Sequence, residues 1–259
     1  MKQVVLITGA SSGIGAASAL EFAKRGFRVA LLARRADRLN ELEKKIEALG
    51  GEALVLGGDV TDAKSLDEAV KKILSVFGRL DIVVANAGFG VTGPLSKLTV
   101  EDYRRQFETN VFGVLNTLYA TKDAVLEQKG ILAIIGSVAG QIPVPYGTAY
   151  GMSKFAVRAL ALGLRGELAK KGVAVVLISP GYIATEISRV DKNGRLQEAP
   201  DKNFPKGLMV PVEKAAPAIV RGILSRRNEV VITLHGKIFV TLNRFFPGLV
   251  NQIAKRMSV

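Results

Sequence analysis

The chain has 259 residues, 48% hydrophobic and 23% charged, so it can bury a sizeable core without staples. It has no cysteine, which excludes disulfides and thiolate metal sites and fits a reducing, cytoplasmic compartment. The net charge of +13 suits a phosphate-bearing ligand, an anionic surface or nucleic acid, or else only a solvated basic face.

The first residues run straight into an apolar stretch, without the layout of a signal peptide. No apolar run reaches the roughly 18 residues that a membrane span needs. Val4–Ile7 is the first strand-like run, and Ala16–Arg25 follows with helical spacing. Val29–Ala33, Ala53–Leu56 and Ile82–Ala85 are further strands, separated by helices over Asp37–Leu49 and Ala63–Phe77. A long helix is predicted over Glu101–Glu127, then a strand Ile131–Ile135, a helix Ala149–Lys170 and a strand Val173–Ile178. Val230–Thr233 is a candidate seventh strand. Continuous apolar strands are buried on both faces, and their alternation with helices predicts one doubly wound parallel α/β domain of the Rossmann type. Its expected extent is 1–235, with a polar stretch 186–210 that carries Pro200 and Pro205 and both signs of charge. A tail over 236–259 follows.

Chemistry begins at the first strand's end, Thr8-Gly9-Ala10-Ser11-Ser12-Gly13-Ile14-Gly15, where a helix opens at once. Glycines there let backbone approach a pyrophosphate, and the helix N-terminus offers it unpaired N–H groups. Tyr150 and Lys154 lie four residues apart, on one face of a helix. An ammonium beside a phenol favours the phenolate, so the Tyr150 pKa is expected to fall and make it an acid/base. Ser137 precedes them at a strand end.

With Asn86-Ala87-Gly88 after the fourth strand, Asn110 in the long helix and Pro180-Gly181 after the sixth strand, these motifs resemble the short-chain dehydrogenase/reductase family over roughly residues 2–234. The resemblance implies an oxidoreductase that moves a hydride between a nicotinamide cofactor and a small-molecule carbonyl or secondary alcohol. Ser137 would hold the substrate oxygen, and Tyr150 would exchange its proton. Lys154 would lower the Tyr pKa and bind the nicotinamide ribose. Asn110 would hold a water linking Lys154 to solvent, or serve only as a kink partner in its helix. Gly9, Ser11, Ser12, Gly13, Ile14 and Gly15 would line the phosphates, with Asn86, Ala87 and Gly88 bracing the backbone beside them. Asp59 would accept from adenine, or cap the following helix, and Val60 would pack on the ring. Pro180, Gly181, Ile183 and Thr185 would border the nicotinamide, and 186–210 would be the substrate lid.

The second strand ends in Ala33, not in an acid, and Arg34-Arg35 follow. A carboxylate there would repel a ribose 2′-phosphate, whereas a guanidinium pairs with it through a charge-assisted fork, so NADP(H) is expected. Arg34 is the first candidate for that contact, with Arg35 adding to it or stacking on adenine. No metal is expected, and the lone His235 is given no role. No recognised nucleic-acid module appears, so no nucleic-acid partner is expected. An NADPH-sensing module without turnover is the competing reading, against which the intact Ser137, Tyr150 and Lys154 argue.

From Arg221 onward seven basic residues face one acid, Glu229. In the tail, Ile238, Leu242, Phe245, Leu249, Ile253 and Met257 recur at three- and four-residue steps, and Phe239, Phe246 and Val250 widen the stripe. Pro247 breaks the helix or begins a second one. Such a basic amphipathic tail fits peripheral contact with a membrane, or docking on the domain or a sister subunit. Membrane contact would favour a hydrophobic, lipid-like ketone. The family resemblance implies a homodimer or homotetramer.

Overall fold

The computed structural model describes residues 1–189 and 206–257. The apolar runs form β1 (Val4–Thr8), β2 (Arg28–Ala33), β3 (Glu52–Gly57), β4 (Ile82–Ala85), β5 (Ile131–Ile135) and β6 (Ala174–Ser179). Two short strands, β7 (Ile183–Ala184) and β8 (Val210–Pro211), pair with each other. The expected seventh strand of the main sheet is β9 (Glu229–Val231). Seven strands make one sheet in the order β3-β2-β1-β4-β5-β6-β9. Every neighbouring pair in it is parallel. The order reverses between β1 and β4, and ligands of such sheets bind where strand carboxyl ends meet a reversal.

Alternate strand residues feed two cores. Val5 and Ile7 pack with Phe22 of α1 (Gly13–Lys24), Leu39 and Ile46 of α2 (Ala36–Glu47) and Ile219 of α7 (Val212–Leu224). Val4 and Leu6 pack with Ile73 of α3 (Ala63–Phe77), Leu118 of α5 (Gly113–Glu127) and Val157 of α6 (Thr148–Ala169). Each such fully buried side chain contributes about 1.5–3 kcal/mol by leaving water. Asp62 caps α3 by accepting from the Lys64 N–H at 3.0 Å. Thr99 and Asp102 form a capping box at α4 (Val100–Phe107).

Two departures from the expected elements affect the site. The long helix is not continuous: α4 and α5 are joined by a π-turn over Glu108–Phe112, with Asn110 buried inside it. Beyond that turn, α5 begins at Gly113, where a Cβ would lie 2.6 Å from Val60 Cγ2. α7 was not among the expected elements, and it carries Pro217 in its interior.

At the opposite edge of the sheet, buried Asp81 links three strands. Its carboxylate accepts from the Val4 N–H at 2.9 Å and from Arg79 Nε at 2.8 Å. Its own N–H donates to the Val4 carbonyl at 3.0 Å, and its carbonyl accepts from the Ile131 N–H at 2.9 Å.

The tail forms two helices, α8 (Leu234–Phe245) and α9 (Pro247–Met257), so Pro247 opens the second. Asn243 Nδ2 donates to the Gln141 carbonyl at 2.8 Å, which ties α8 to the domain. Val250 is buried, while Ile238, Phe245, Phe246, Leu249 and Ile253 remain exposed.

Candidate active site

The glycine loop is shaped by what surrounds it. Gly9 has φ +66°, and a Cβ there would sit 2.7 Å from Ala87 Cα. A Cβ on Gly15 would sit 2.4 Å from the Gly9 carbonyl oxygen. Thr8 Oγ1 accepts from the Asn86 and Ala87 N–H groups at 3.0 and 3.1 Å. Asn86 Nδ2 donates to the Thr8 carbonyl at 2.8 Å. Ser11, Ser12, Gly13 and Ile14 carry the chain from this clamp into α1, and a Cβ on Gly88 would meet Asn110 Oδ1 at 3.0 Å.

Of the two arginines after β2, Arg35 reaches the loop. Its Nη2 donates to Ser11 Oγ at 3.0 Å and to Ser12 Oγ at 2.9 Å. Arg34 instead stands 79% exposed, with Nη1 3.6 Å from Asp59 Oδ2. Of the two, Arg35 is the one whose guanidinium meets the serines of the loop. Asp59 does not cap α3: that place is taken by Asp62, and Asp59 Oδ1 accepts from the Thr61 N–H at 3.0 Å. Val60 is buried against Gly113, and its carbonyl accepts from Asn116 Nδ2 at 3.0 Å.

Ser137, two residues beyond β5, accepts from the Ala139 N–H at 3.1 Å, and its hydroxyl acts on the Tyr150 phenol in the direction that lowers its pKa. Lys154 lies one turn beyond Tyr150 on α6, with Nζ 5.7 Å from the Tyr150 ring centroid and donating to the Ile135 carbonyl at 2.9 Å. The Tyr150 pKa does not fall as expected. Burial pushes it up, and the Ser137 hydrogen bond opposes that only in part. Burial also lowers Lys154 to about 8. Desolvation here outweighs the pairing that the four-residue spacing suggests, because the ammonium turns to a carbonyl.

Asn110 receives the Phe89 N–H on Oδ1 at 3.1 Å and donates Nδ2 to the Phe89 carbonyl at 3.0 Å and to Ser153 Oγ at 3.1 Å. Ser153 in turn donates to the Tyr150 carbonyl at 2.7 Å. The Asn110 side chain therefore braces the loop after β4 and the helix that carries Tyr150.

Opposite these groups runs the Pro180–Ile187 segment. The Pro180 carbonyl accepts from the Val138 N–H at 2.9 Å, and Ile183 is buried in β7. Thr185 lies against Gly13, where a Cβ would be 3.2 Å from its own Cβ. Gly181 has no room for a side chain: a Cβ would meet Thr233 Oγ1 at 2.2 Å and His235 Nε2 at 2.5 Å. His235 lies in the first turn of α8, beyond β9, and its Nε2 accepts from the Tyr182 N–H at 3.0 Å. Its ring stacks on Tyr182 at 5.6 Å, and burial lowers its pKa. The lid predicted over 186–210 falls largely outside the described residues.

A strand-to-helix glycine cradle, a phenol held by a serine and a buried lysine one turn away meet at the carboxyl ends of one parallel sheet. Residues 3–195 match the short chain dehydrogenase family model. The chain belongs to the short-chain dehydrogenase family. It is 38% identical over 210 residues to serine 3-dehydrogenase of Agrobacterium fabrum, covering 80% of this chain and 82% of that one. An alcohol dehydrogenase of Thermococcus sibiricus complexed with 5-hydroxy-NADP is 31% identical, with TM-score 0.78 over 90% of this chain and 97% of that one. A Burkholderia phymatum family structure in complex with NAD has TM-score 0.84 at 24% identity, over 96% of this chain and 95% of that one, and speaks for the fold alone.

This short-chain dehydrogenase is thus an oxidoreductase acting on CH–OH groups and binding a nicotinamide cofactor. The site fits that group: the cradle at Gly9 and Gly15 has room for backbone alone, as close approach to a pyrophosphate requires. Gly15→Ala is expected to cost about 1–3 kcal/mol by overpacking. It should lower the melting temperature and weaken nucleotide binding about tenfold or more, which thermal melts and titration calorimetry would check. Four residues that the sequence reading passed over also shape the site. Thr8, Ser153, Arg38 and Glu186 act through long-range contacts that no local pattern encodes.

Proposed function

We propose that this short-chain dehydrogenase uses NADP(H) to interconvert a small carbonyl compound and its secondary alcohol, with hydrophobic ketones as the substrate class. The observation that carries the reaction is a buried Lys154 with Nζ 5.7 Å from the Tyr150 ring centroid, beside a phenol on which the Ser137 hydroxyl acts. Tyr150, a phenol whose pKa burial pushes above its ordinary value, donates its proton to the developing alkoxide in reduction and takes it back in oxidation. Ser137 holds the substrate oxygen beside that phenol. Lys154 would bind the nicotinamide ribose hydroxyls, and Asn110 and Ser153 fix the helix that carries Tyr150 and Lys154. The bound nicotinamide supplies or accepts the hydride, and the protein contributes position and electrostatics.

Arg35 across Ser11 and Ser12, with Ala33 in place of an acid, supports the phosphorylated cofactor. NADPH oxidation over a panel of aldehydes and of steroid and long-chain ketones, with NADH in parallel, tests the reading. Turnover with NADH alone would overturn the cofactor assignment. Arg35→Ser is expected to weaken NADPH about 10- to 100-fold, the worth of one charge-assisted contact, and to leave NADH within about twofold.

Exposed Tyr119 on α5 and Met152, Phe155 and Leu162 on α6 support a homo-oligomer through these two helices. Among the described residues, no helix is long and apolar enough to cross a membrane. The exposed apolar residues of α8 and α9 stand beside Lys237, Arg244 and Lys255 with no acid in either helix, which favours peripheral contact with an anionic bilayer. Flotation with anionic and neutral vesicles tests this. Phe245→Asp with Phe246→Asp should abolish binding to the anionic vesicles, and equal behaviour of wild type and variant would sink the idea.

A further inference from the structure

Arg35 is shared between two walls of the cleft. While Nη2 binds Ser11 and Ser12 of the glycine loop, Nη1 donates to Glu186 Oε2 at 3.2 Å. Arg38, one turn further along α2, donates to the other oxygen, Oε1, at 2.6 Å. Glu186 thus bridges two guanidinium groups, one oxygen to each. Burial pushes its pKa up, but the hydrogen bonds from Arg38 and Arg35 outweigh this and keep it ionised. The bridge is only partly buried, and an open cleft of about 820 Å³, lined among others by Ser12, Arg38, Thr185 and Glu186, borders it.

Two guanidinium groups beside two serine hydroxyls are the donor set that a phosphate monoester takes. The carboxylate of Glu186 fills part of that set from within the chain. We propose that Glu186 determines cofactor specificity by competing with the ribose 2′-phosphate of the cofactor for Arg35 and Arg38. A phosphorylated dinucleotide displaces the carboxylate, whereas a dinucleotide with a free 2′-hydroxyl leaves the bridge intact. The inference rests on the NADP(H) reading above.

The bridge sits on a segment that runs past the site: Thr185 lies on Gly13, and Ile187 and Tyr150 both border Gly90, where a Cβ would be 3.7 Å from Ile187 Cγ1 and 3.7 Å from Tyr150 Cδ2.

The test is titration calorimetry of the full chain with NADPH, NADH and inorganic phosphate, for wild type, Glu186→Gln and Glu186→Ala. A site that is self-occupied for part of the time has its affinity reduced to the fraction of time in which it stands open. With the paired, part-exposed bridge leaving the site open for about a tenth to a third of the time, both variants should bind NADPH about 3- to 10-fold more tightly. NADH affinity should stay within about twofold of wild type. Inorganic phosphate should compete with NADPH at lower concentration in the variants, which separates the arginine pair from the rest of the cofactor as the seat of the effect. Equal shifts for NADPH and NADH, or weaker NADPH binding in both variants, would overturn the role of Glu186 alone. Wild type that binds neither nucleotide would overturn the cofactor reading, and this inference with it.

Discussion

Tyr150→Phe is expected to lower kcat about 10²- to 10⁴-fold, the range over which a positioned proton donor contributes. The substitution removes one hydroxyl from a half-buried ring and leaves the ring's packing in place. Nucleotide affinity and the melting temperature should therefore stay near wild type, because Lys154 keeps its bond to the Ile135 carbonyl and the glycine loop is untouched. Single-turnover rates with nucleotide binding measured alongside would check this. A variant that keeps wild-type turnover would remove Tyr150 from the proton path, whereas wild type that binds nucleotide without turnover would move the reading to a nucleotide-sensing module.

The second large effect couples activity to stability. Lys154→Met should also lower kcat by a factor on the order of 10²–10⁴, since it removes the buried cation beside the reacting phenol. Its signature lies in the pH dependence of stability. Burial holds the Lys154 pKa at about 8, against 10.5 for the ordinary side chain. The penalty for burying the ammonium is therefore complete below about pH 8. It disappears as pH rises towards 10.5, where the unfolded side chain has also lost its proton. Wild type should gain on the order of 3 kcal/mol relative to Lys154→Met across that window. Denaturant unfolding of both proteins from pH 7 to 10.5 reads it directly. A constant difference across the window would show that the lysine is well solvated.

The strands were legible because both faces of a parallel sheet are buried, which leaves unbroken apolar runs in the sequence. The glycine loop was legible because its demands are local: positive φ at Gly9, and at Gly15 no space for a side chain. What escaped was set by distance in the chain. Asn110 was read as a water holder or a kink partner, but the π-turn there goes with bonds to Phe89 and Ser153 that lie far along the chain. The spacing of Tyr150 and Lys154 was read as a pair, yet the ammonium finds the Ile135 carbonyl, nineteen residues away. His235, set aside as a lone histidine, receives the Tyr182 N–H only because α8 folds back over Gly181. Glu186 lay in a stretch of mixed charge and gave no sign that it would meet α2.

The Asp81 junction lies at the amino ends of β1, β4 and β5, a full strand length from the carboxyl ends where Tyr150 and the glycine loop gather. The two edges share strands but no side chain, and energetic effects at separated sites add nearly independently. The Asp81 rim thus offers stability that is separate from the reacting groups, alongside the part that Gly15 and Lys154 carry at the reacting rim. A lineage, or an engineer, can retune the loops around Tyr150 without touching what holds the strands together, and can reinforce the far rim without slowing the reaction.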